Sequence, residues 1–313
     1  MEKLIVSSSP HIQSKTTTQS IMRDVLIALL PATVASVILF GFRALITIAV
    51  CVTTAVLSEF FFNLVCKKEQ TVSDLSAIVT GLLLALSLPA HAEVWHCIVG
   101  SAFAIIVVKC LFGGIGCNFA NPAVTARVFL LIAFSASIGG ATAPFANGAD
   151  LVASATPLEM IKLGSDAELP TLLDMLLGNR AGAIGETCAI ALIIGGIYLI
   201  ARRVIKWHTP VIYIATVFVL SLIIKQDLTV ALYQVLGGGL MLSAFFMITD
   251  YVTTPINTPG KMVFAFGCGV ITVLIRFWGS YPEGISFAIL IMNILSPYIE
   301  KMCTRKPLGK VGK

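Results

Sequence analysis

Apolar residues in this chain come in long uninterrupted blocks, and that grouping, more than anything else, limits what it can fold into. Crossing about 30 Å of hydrocarbon takes about 20 residues of helix, because inside lipid every backbone N–H and C=O must be satisfied within the segment. Ten blocks answer to this, at approximately 24–41, 44–65, 74–90, 94–112, 122–138, 183–201, 210–224, 228–249, 261–278 and 284–300. Only 12% of the 313 residues are charged and 57% are hydrophobic, where soluble chains carry about 25% charge. The expected fold class is an all-α polytopic membrane protein. The first block follows a polar leader and is too long for the apolar region of a signal peptide, so it is expected to be a retained span.

Basic residues give the expected orientation, since Lys and Arg collect on the cytoplasmic side. With the N-terminus inside, that side holds Arg23, Lys67, Lys68, Lys109, Arg127, Arg202, Arg203, Lys206, Lys261 and the basic tail, while Arg43, Lys162, Arg180, Lys225 and Arg276 fall outside. The organisation is then a cytoplasmic segment 1–23, a first five-helix half 24–138, an extracytoplasmic loop 139–182, a second five-helix half 183–300 and a cytoplasmic tail 301–313. The net charge of +5 is accounted for by these flanks, so nucleic acid is not an expected partner and lipid is. The eight cysteines are scattered through apolar helices with no Cys-x-x-Cys pair, which suits helix packing and offers no ligand set for an iron–sulfur cluster.

Ten spans divide into two sets of five, and an odd number per half makes the second half enter the membrane from the opposite side. Gly100 stands nine residues before Lys109 as Gly267 does before Arg276, each cation closely followed by an aromatic–Gly pair ending at Gly113 and Gly279, and the block from Gly81 to Pro89 compares with that from Gly239 to Asp250. An inverted repeat is expected. Each half also carries a polar break: one with Gly113, Asn118, Asn121 and Pro122, the other with Asp250, Thr253, Thr254, Pro255, Asn257 and Gly260. Irregular backbone at membrane depth is tolerated only where protein or a cavity covers it, so these breaks are candidates for a buried ligand or ion site. Ordinary turns rich in Asn, Pro and Gly explain the same residues. Glu59, Glu186, Asp250, His96, Arg127 and Arg276 have the same two readings. They line an ion path, or they snorkel or pair at the interface near helix ends, the expectation for Lys109, Arg127 and Arg276, with Glu59 the exception.

The long loop 139–182 contains Asp150-Leu-Val-Ala-Ser-Ala-Thr156-Pro-Leu-Glu159. A membrane protein gains little from such a loop unless it binds, docks or is modified. Thr156-Pro157-Leu158-Glu159 has the form of a capping box with Pro at the first helical position, so Thr156 is expected to open a short helix running to about Lys162. A phosphate carried on Thr156 would sit at that helix N-terminus, where free N–H groups and the macrodipole favour negative charge.

Asp150-x-x-x-Ser154-Ala155-Thr156-Pro157-Leu158 resembles the flavinylation motif of the NqrB/RnfD family of membrane subunits. The likeness extends along the chain, through Ser8-Ser9-Pro10-His11, the stretch from Ile21 to Pro31, Gly113-Gly-x-Gly116-x-Asn118-x-x-Asn121-Pro122, and Thr249-Asp250-x-x-Thr253-x-Pro255. Ala153 and Ser154 stand where the family usually has Ser or Thr followed by Gly. The resemblance implies FMN esterified through its phosphate to Thr156 by a flavin transferase, with Asp150, Ser154, Ala155 and Pro157 as recognition residues. It further implies a second, non-covalent flavin (riboflavin or FMN), for which Asn118, Asn121, Asp250, Thr253, Thr254 and Asn257 are the candidate pocket. The implied setting is the bacterial inner membrane and the Rnf complex, with partner subunits RnfA, RnfB, RnfC, RnfE and RnfG, moving Na+ or H+ as electrons pass between ferredoxin and NAD+. The implied fold is similar to urea transporters. The alternatives are an NqrB-type subunit of a Na+-translocating NADH:quinone reductase, and a transporter or channel, which gives no reason for the Thr156 loop.

Overall fold

The computed structural model describes residues 17–145, 153–163, 169–281 and 283–304. Helix α1 (Thr18–Val65) runs through the first two apolar blocks, but Gly41 takes φ 65° and ψ −147°, dividing it into arms of residues 18–40 and 42–65. That backbone is open to Gly because it has no Cβ. Then come α2 (Ser76–Ser87), α3 (Val94–Ala102) continuing as a π-helix over Phe103–Cys110, α4 (Pro122–Ala133) and the short α5 (Ser135–Ile138). A two-residue antiparallel ribbon, β1 (Ala141–Thr142) with β2 (Ala153–Ser154), leads to α6 (Pro157–Leu163) and α7 (Leu172–Leu177). The second half comprises α8 (Ala189–Ala201), α9 (His208–Lys225), α10 (Leu228–Leu236), α11 (Leu240–Met247), α12 (Thr258–Trp278) and α13 (Ile285–Cys303).

Among the described residues four helices, α1, α9, α12 and α13, are long and apolar enough to cross a membrane, and α10 with α11 makes a fifth if the bent pair is one span. The blocks 74–90, 94–112, 122–138 and 183–201 contract to shorter apolar helices. Their ends have local causes: Leu75 is left-handed at φ 62° ahead of α2, and Phe134 (φ −132°, ψ 45°) interrupts the helix after Ala133. The block 228–249 is not one straight helix, because α10 and α11 meet at 60° across Gly237, Gly238 and Gly239, with Gly238 at φ 60°.

The bundle has an apolar core into which polar and charged side chains are set, and its outer surface is apolar too. Asp24, Ser36, Thr47, Glu59 and Asn63 of α1 are buried, while Leu30, Val34, Ile38, Phe42 and Phe61 of the same helix are exposed. Ile132, Ile194, Ile197, Ile223, Phe266 and Tyr298 continue the exposed apolar surface around the other helices. Water would penalise that arrangement and lipid rewards it, so the protein is membrane-embedded. Small residues bring the helices close: a Cβ on Gly195 would lie 2.1 Å from the Ala28 carbonyl oxygen, and one on Gly196 2.3 Å from Phe245.

Hydrogen bonds between distant segments define two ends. At one, Arg202 and Tyr198 reach Asp24 (3.2 and 3.3 Å) and Lys206 reaches Thr258 (3.0 Å). At the other, His91 Nδ1 lies 2.9 Å from Thr142 Oγ1, Phe145 N–H donates to Leu39 O, and Lys162 Nζ donates to Gly279 O (2.5 Å). Tyr233 also donates there to Pro170 O (2.5 Å). The described parts of 139–182 are therefore seated on the end opposite Asp24.

Candidate functional site

Thr156 opens α6 as its sequence predicts: its hydroxyl oxygen accepts the Glu159 N–H at 3.1 Å, and the helix runs over Pro157–Leu163. Among the described residues its own proton has no acceptor. The side chain is buried, not exposed as the loop suggested. Ribbon pairing of Ser154 with Ala141 and the docking of Lys162 on the carbonyl just after α12 fold the segment down onto the bundle. Asp150 lies outside the described residues.

Thr156 borders a cleft of about 870 Å³, including the solvent at its mouth, together with Ser87, Arg127, Glu159, Tyr281 and Glu283. Arg127 was expected at the interface on the N-terminal side, snorkelling or pairing there. Instead it is buried and projects from α4 toward the opposite end. One arm of its guanidinium donates to Glu186 Oε1 (2.6 Å) and to the Ser87 carbonyl, and the other to Glu283 Oε2. Glu186 is placed by its backbone neighbours: Ile184 and Gly185 donate to Leu88 and Leu86 carbonyls (2.9 and 2.7 Å), and Gly239 leaves room for the carboxylate, which a Cβ there would meet at 2.3 Å.

Two more buried arginines complete the cluster. Arg180 donates to the Glu186 and Thr187 carbonyls (2.7 and 3.3 Å), and Arg276 to the carbonyls of Gln234, Gly237 and Glu283 (2.5, 3.2 and 3.1 Å). Arg276 is thus buried rather than snorkelling, with carbonyls instead of a carboxylate around it. Glu283 and Gln234 escaped the sequence reading. Glu283 follows a proline between two apolar blocks, and only the fold brings it against Arg127.

A second cavity, about 800 Å³ including open solvent, lies at the opposite end and is bordered by Ser76, Lys109, Asn118, Asn121 and Asp250. Asn118, Thr253 and Thr254 border a neighbouring hollow with Asn293, and Asn257 borders neither. Several of these residues serve local turns. Asn121 caps α4 by accepting from Ala123 and Val124 N–H (3.1 and 3.3 Å), and Asp250 accepts from Val252 N–H and the Thr253 hydroxyl (3.2 and 3.1 Å). Asn118 Oδ1 and both amide atoms of Asn293 are buried without a partner among the described residues. Buried polar atoms are nearly always satisfied, so these point to something that binds there. Lys109, expected to snorkel or pair at the interface, is paired and buried, against Glu59 Oε1 and Ser76 Oγ, both at 2.7 Å.

A helical membrane protein with charged side chains set into its core, a helix-capping threonine and a buried arginine bordering one cleft at one end, and a second polar cavity at the other, is the class these features define. The model of the NQR2, RnfD, RnfE family matches residues 5–309, and the chain belongs to that family. It is 45% identical to the D subunit of the Na(+)-translocating ferredoxin:NAD(+) oxidoreductase complex of Acetobacterium woodii, over 98% of this chain and 95% of that one. It is 38% identical to the D subunit of the proton-translocating ferredoxin:NAD(+) oxidoreductase complex of Clostridium ljungdahlii (95% and 93%). With the D subunit of the ion-translocating oxidoreductase complex of Stutzerimonas stutzeri the identity is 37% (93% and 92%).

Proposed function

We propose that this chain is the D-type membrane subunit of an Rnf ion-translocating ferredoxin:NAD+ oxidoreductase in a bacterial cytoplasmic membrane, passing electrons by way of FMN esterified to Thr156 while Na+ or H+ crosses. The observation that carries the reading is the Thr156 hydroxyl at the start of α6, opening onto a cleft bordered by Arg127, in a chain similar along its length to the D subunits of such complexes. The fit is chemical: the oxygen that would be esterified accepts one N–H and its proton is uncommitted, and the cleft offers a cation to an anionic group. FMN held there would supply a group that takes two electrons and releases them singly. Thr156 anchors it, Asp150, Ser154, Ala155 and Pro157 form the segment a flavin transferase reads, and Arg127 supplies positive charge. The cavity with Lys109, Asn118, Asn121 and Asp250 suits a second, non-covalent flavin, riboflavin or FMN, with Asn118 Oδ1 free to accept from it.

The architecture belonging to this reading is ten spans in two inverted five-helix halves, similar to urea transporters, with both termini cytoplasmic and 139–182 outside. Its support is a matched pair of breaks: Lys109 reaches Ser76 just after left-handed Leu75, and Arg276 reaches Gly237 just before left-handed Gly238, at opposite ends of the bundle. NAD and iron–sulfur chemistry then belong to RnfB, RnfC and the other partner subunits RnfA, RnfE and RnfG. Expressed with the transferase, the wild-type chain is expected to fluoresce as a band on a denaturing gel, and Thr156→Ala to insert in the membrane without fluorescence. A dark wild-type band, or equal flavin on Thr156→Ala, would overturn the assignment.

A further inference from the structure

Among the described residues bordering the Thr156 cleft, Arg127 is the one cation, and Glu159 and Glu283 are the carboxylates. It is held on both sides, by Glu186 from the segment ahead of α8 and by Glu283 from the segment ahead of α13, and from below by the Ser87 carbonyl at the end of α2. A guanidinium so clamped cannot swing away when charge appears nearby, and in a dry interior its field is weakly screened. Arg180 and Arg276 stand behind it, each bonded to carbonyls. Resting on the assignment of FMN to Thr156, we infer that Arg127 is the positioning residue that sets the redox potential of the cleft's occupant, with Glu283 as its counterweight.

The electron comes from the preceding reduced carrier of the complex, whose oxidation balances it, and it leaves one added negative charge in the cleft until a proton follows. Arg127 favours that charge and Glu283 opposes it. The two residues therefore predict shifts of opposite sign, which a merely structural role for the pair does not, since breaking a clamp from either side disturbs it alike.

The test uses the full-length chain purified with its covalent flavin, titrated spectroelectrochemically, with the Thr156→Ala chain subtracted to remove any non-covalent flavin. Glu283→Gln is expected to raise the midpoint potential and Arg127→Gln to lower it, each by about tenfold in the one-electron equilibrium, or about 59 mV. Arg127→Lys keeps the charge and stays closer to wild type. Shifts of the same sign, or covalent flavin present with all midpoints unmoved, overturn the role of Arg127. If Arg127→Gln does not reach the membrane, the sign of the Glu283→Gln shift decides. A wild-type band without covalent flavin overturns the Thr156 assignment and this inference together.

Discussion

Lys109 and Arg276 are both buried cations near helix breaks at opposite ends of the bundle, yet they are neutralised differently. Lys109 has a carboxylate: Glu59 at 2.7 Å, itself accepting from Thr71 at 2.6 Å. Arg276 has only oxygen dipoles, from Gln234, Gly237 and Glu283. An ammonium is a compact point charge, whereas a guanidinium is a planar fork whose donors can be shared among several carbonyls. The buried cation near Asn118 is thus answered by a carboxylate, whereas Arg276 near Thr156 is answered by carbonyl dipoles.

The largest expected effect of that difference is on the paired side. Glu59→Ala strands a buried ammonium and should cost about 3–5 kcal/mol, read as a lower melting temperature of the detergent-solubilised chain; unchanged melting would mean that Lys109 reaches water. On the other side Arg276→Lys cannot serve three separated carbonyls, and the orphaned acceptors should cost about 1–3 kcal/mol. If Arg276→Lys hurts more than Glu59→Ala, that ranking of the two ends is reversed.

Next comes the cap. Thr156→Ala removes the bond to Glu159 N–H and should lose about 1 kcal/mol, with Thr156→Ser close to wild type; equal melting of the two would show that the cap does little. The smallest effect concerns the support of the ribbon. Burial pushes the His91 imidazole below its usual range, although the Gly139 and Ser137 backbone partly offsets this. The folded state therefore prefers the neutral ring, the unfolded chain binds more protons, and stability is full above about pH 6.5 and declines as pH falls below it. His91→Gln should flatten that acid branch of a melting curve, and an identical branch in both proteins would acquit His91.

The legible parts of this chain were those governed by neighbours in sequence. The apolar blocks announced the membrane, Thr-Pro-x-Glu announced the helix at Thr156, and the flavinylation-like motif and the other signatures pointed to the family. The breaks at Asn121 and Asp250 were legible as turns, and both side chains spend their oxygens on nearby N–H groups. What failed was anything set at long range. Arg127 was assigned to the wrong end because helical depth says where a backbone lies, not how far a long side chain reaches. The bend at Gly238 hid inside an apolar run, where three glycines read equally well as close packing.

The sequence by itself determined that this is a helical membrane protein and where a threonine would cap a helix outside the main spans, because hydrophobicity and capping act over a few residues. Only the tertiary structure decided that Thr156 is buried, that Arg127 borders the same cleft between Glu186 and Glu283, and that Lys109 finds Glu59. Those contacts join residues from 50 to 156 positions apart, and a buried charge accepts whichever partner the packed helices bring within reach.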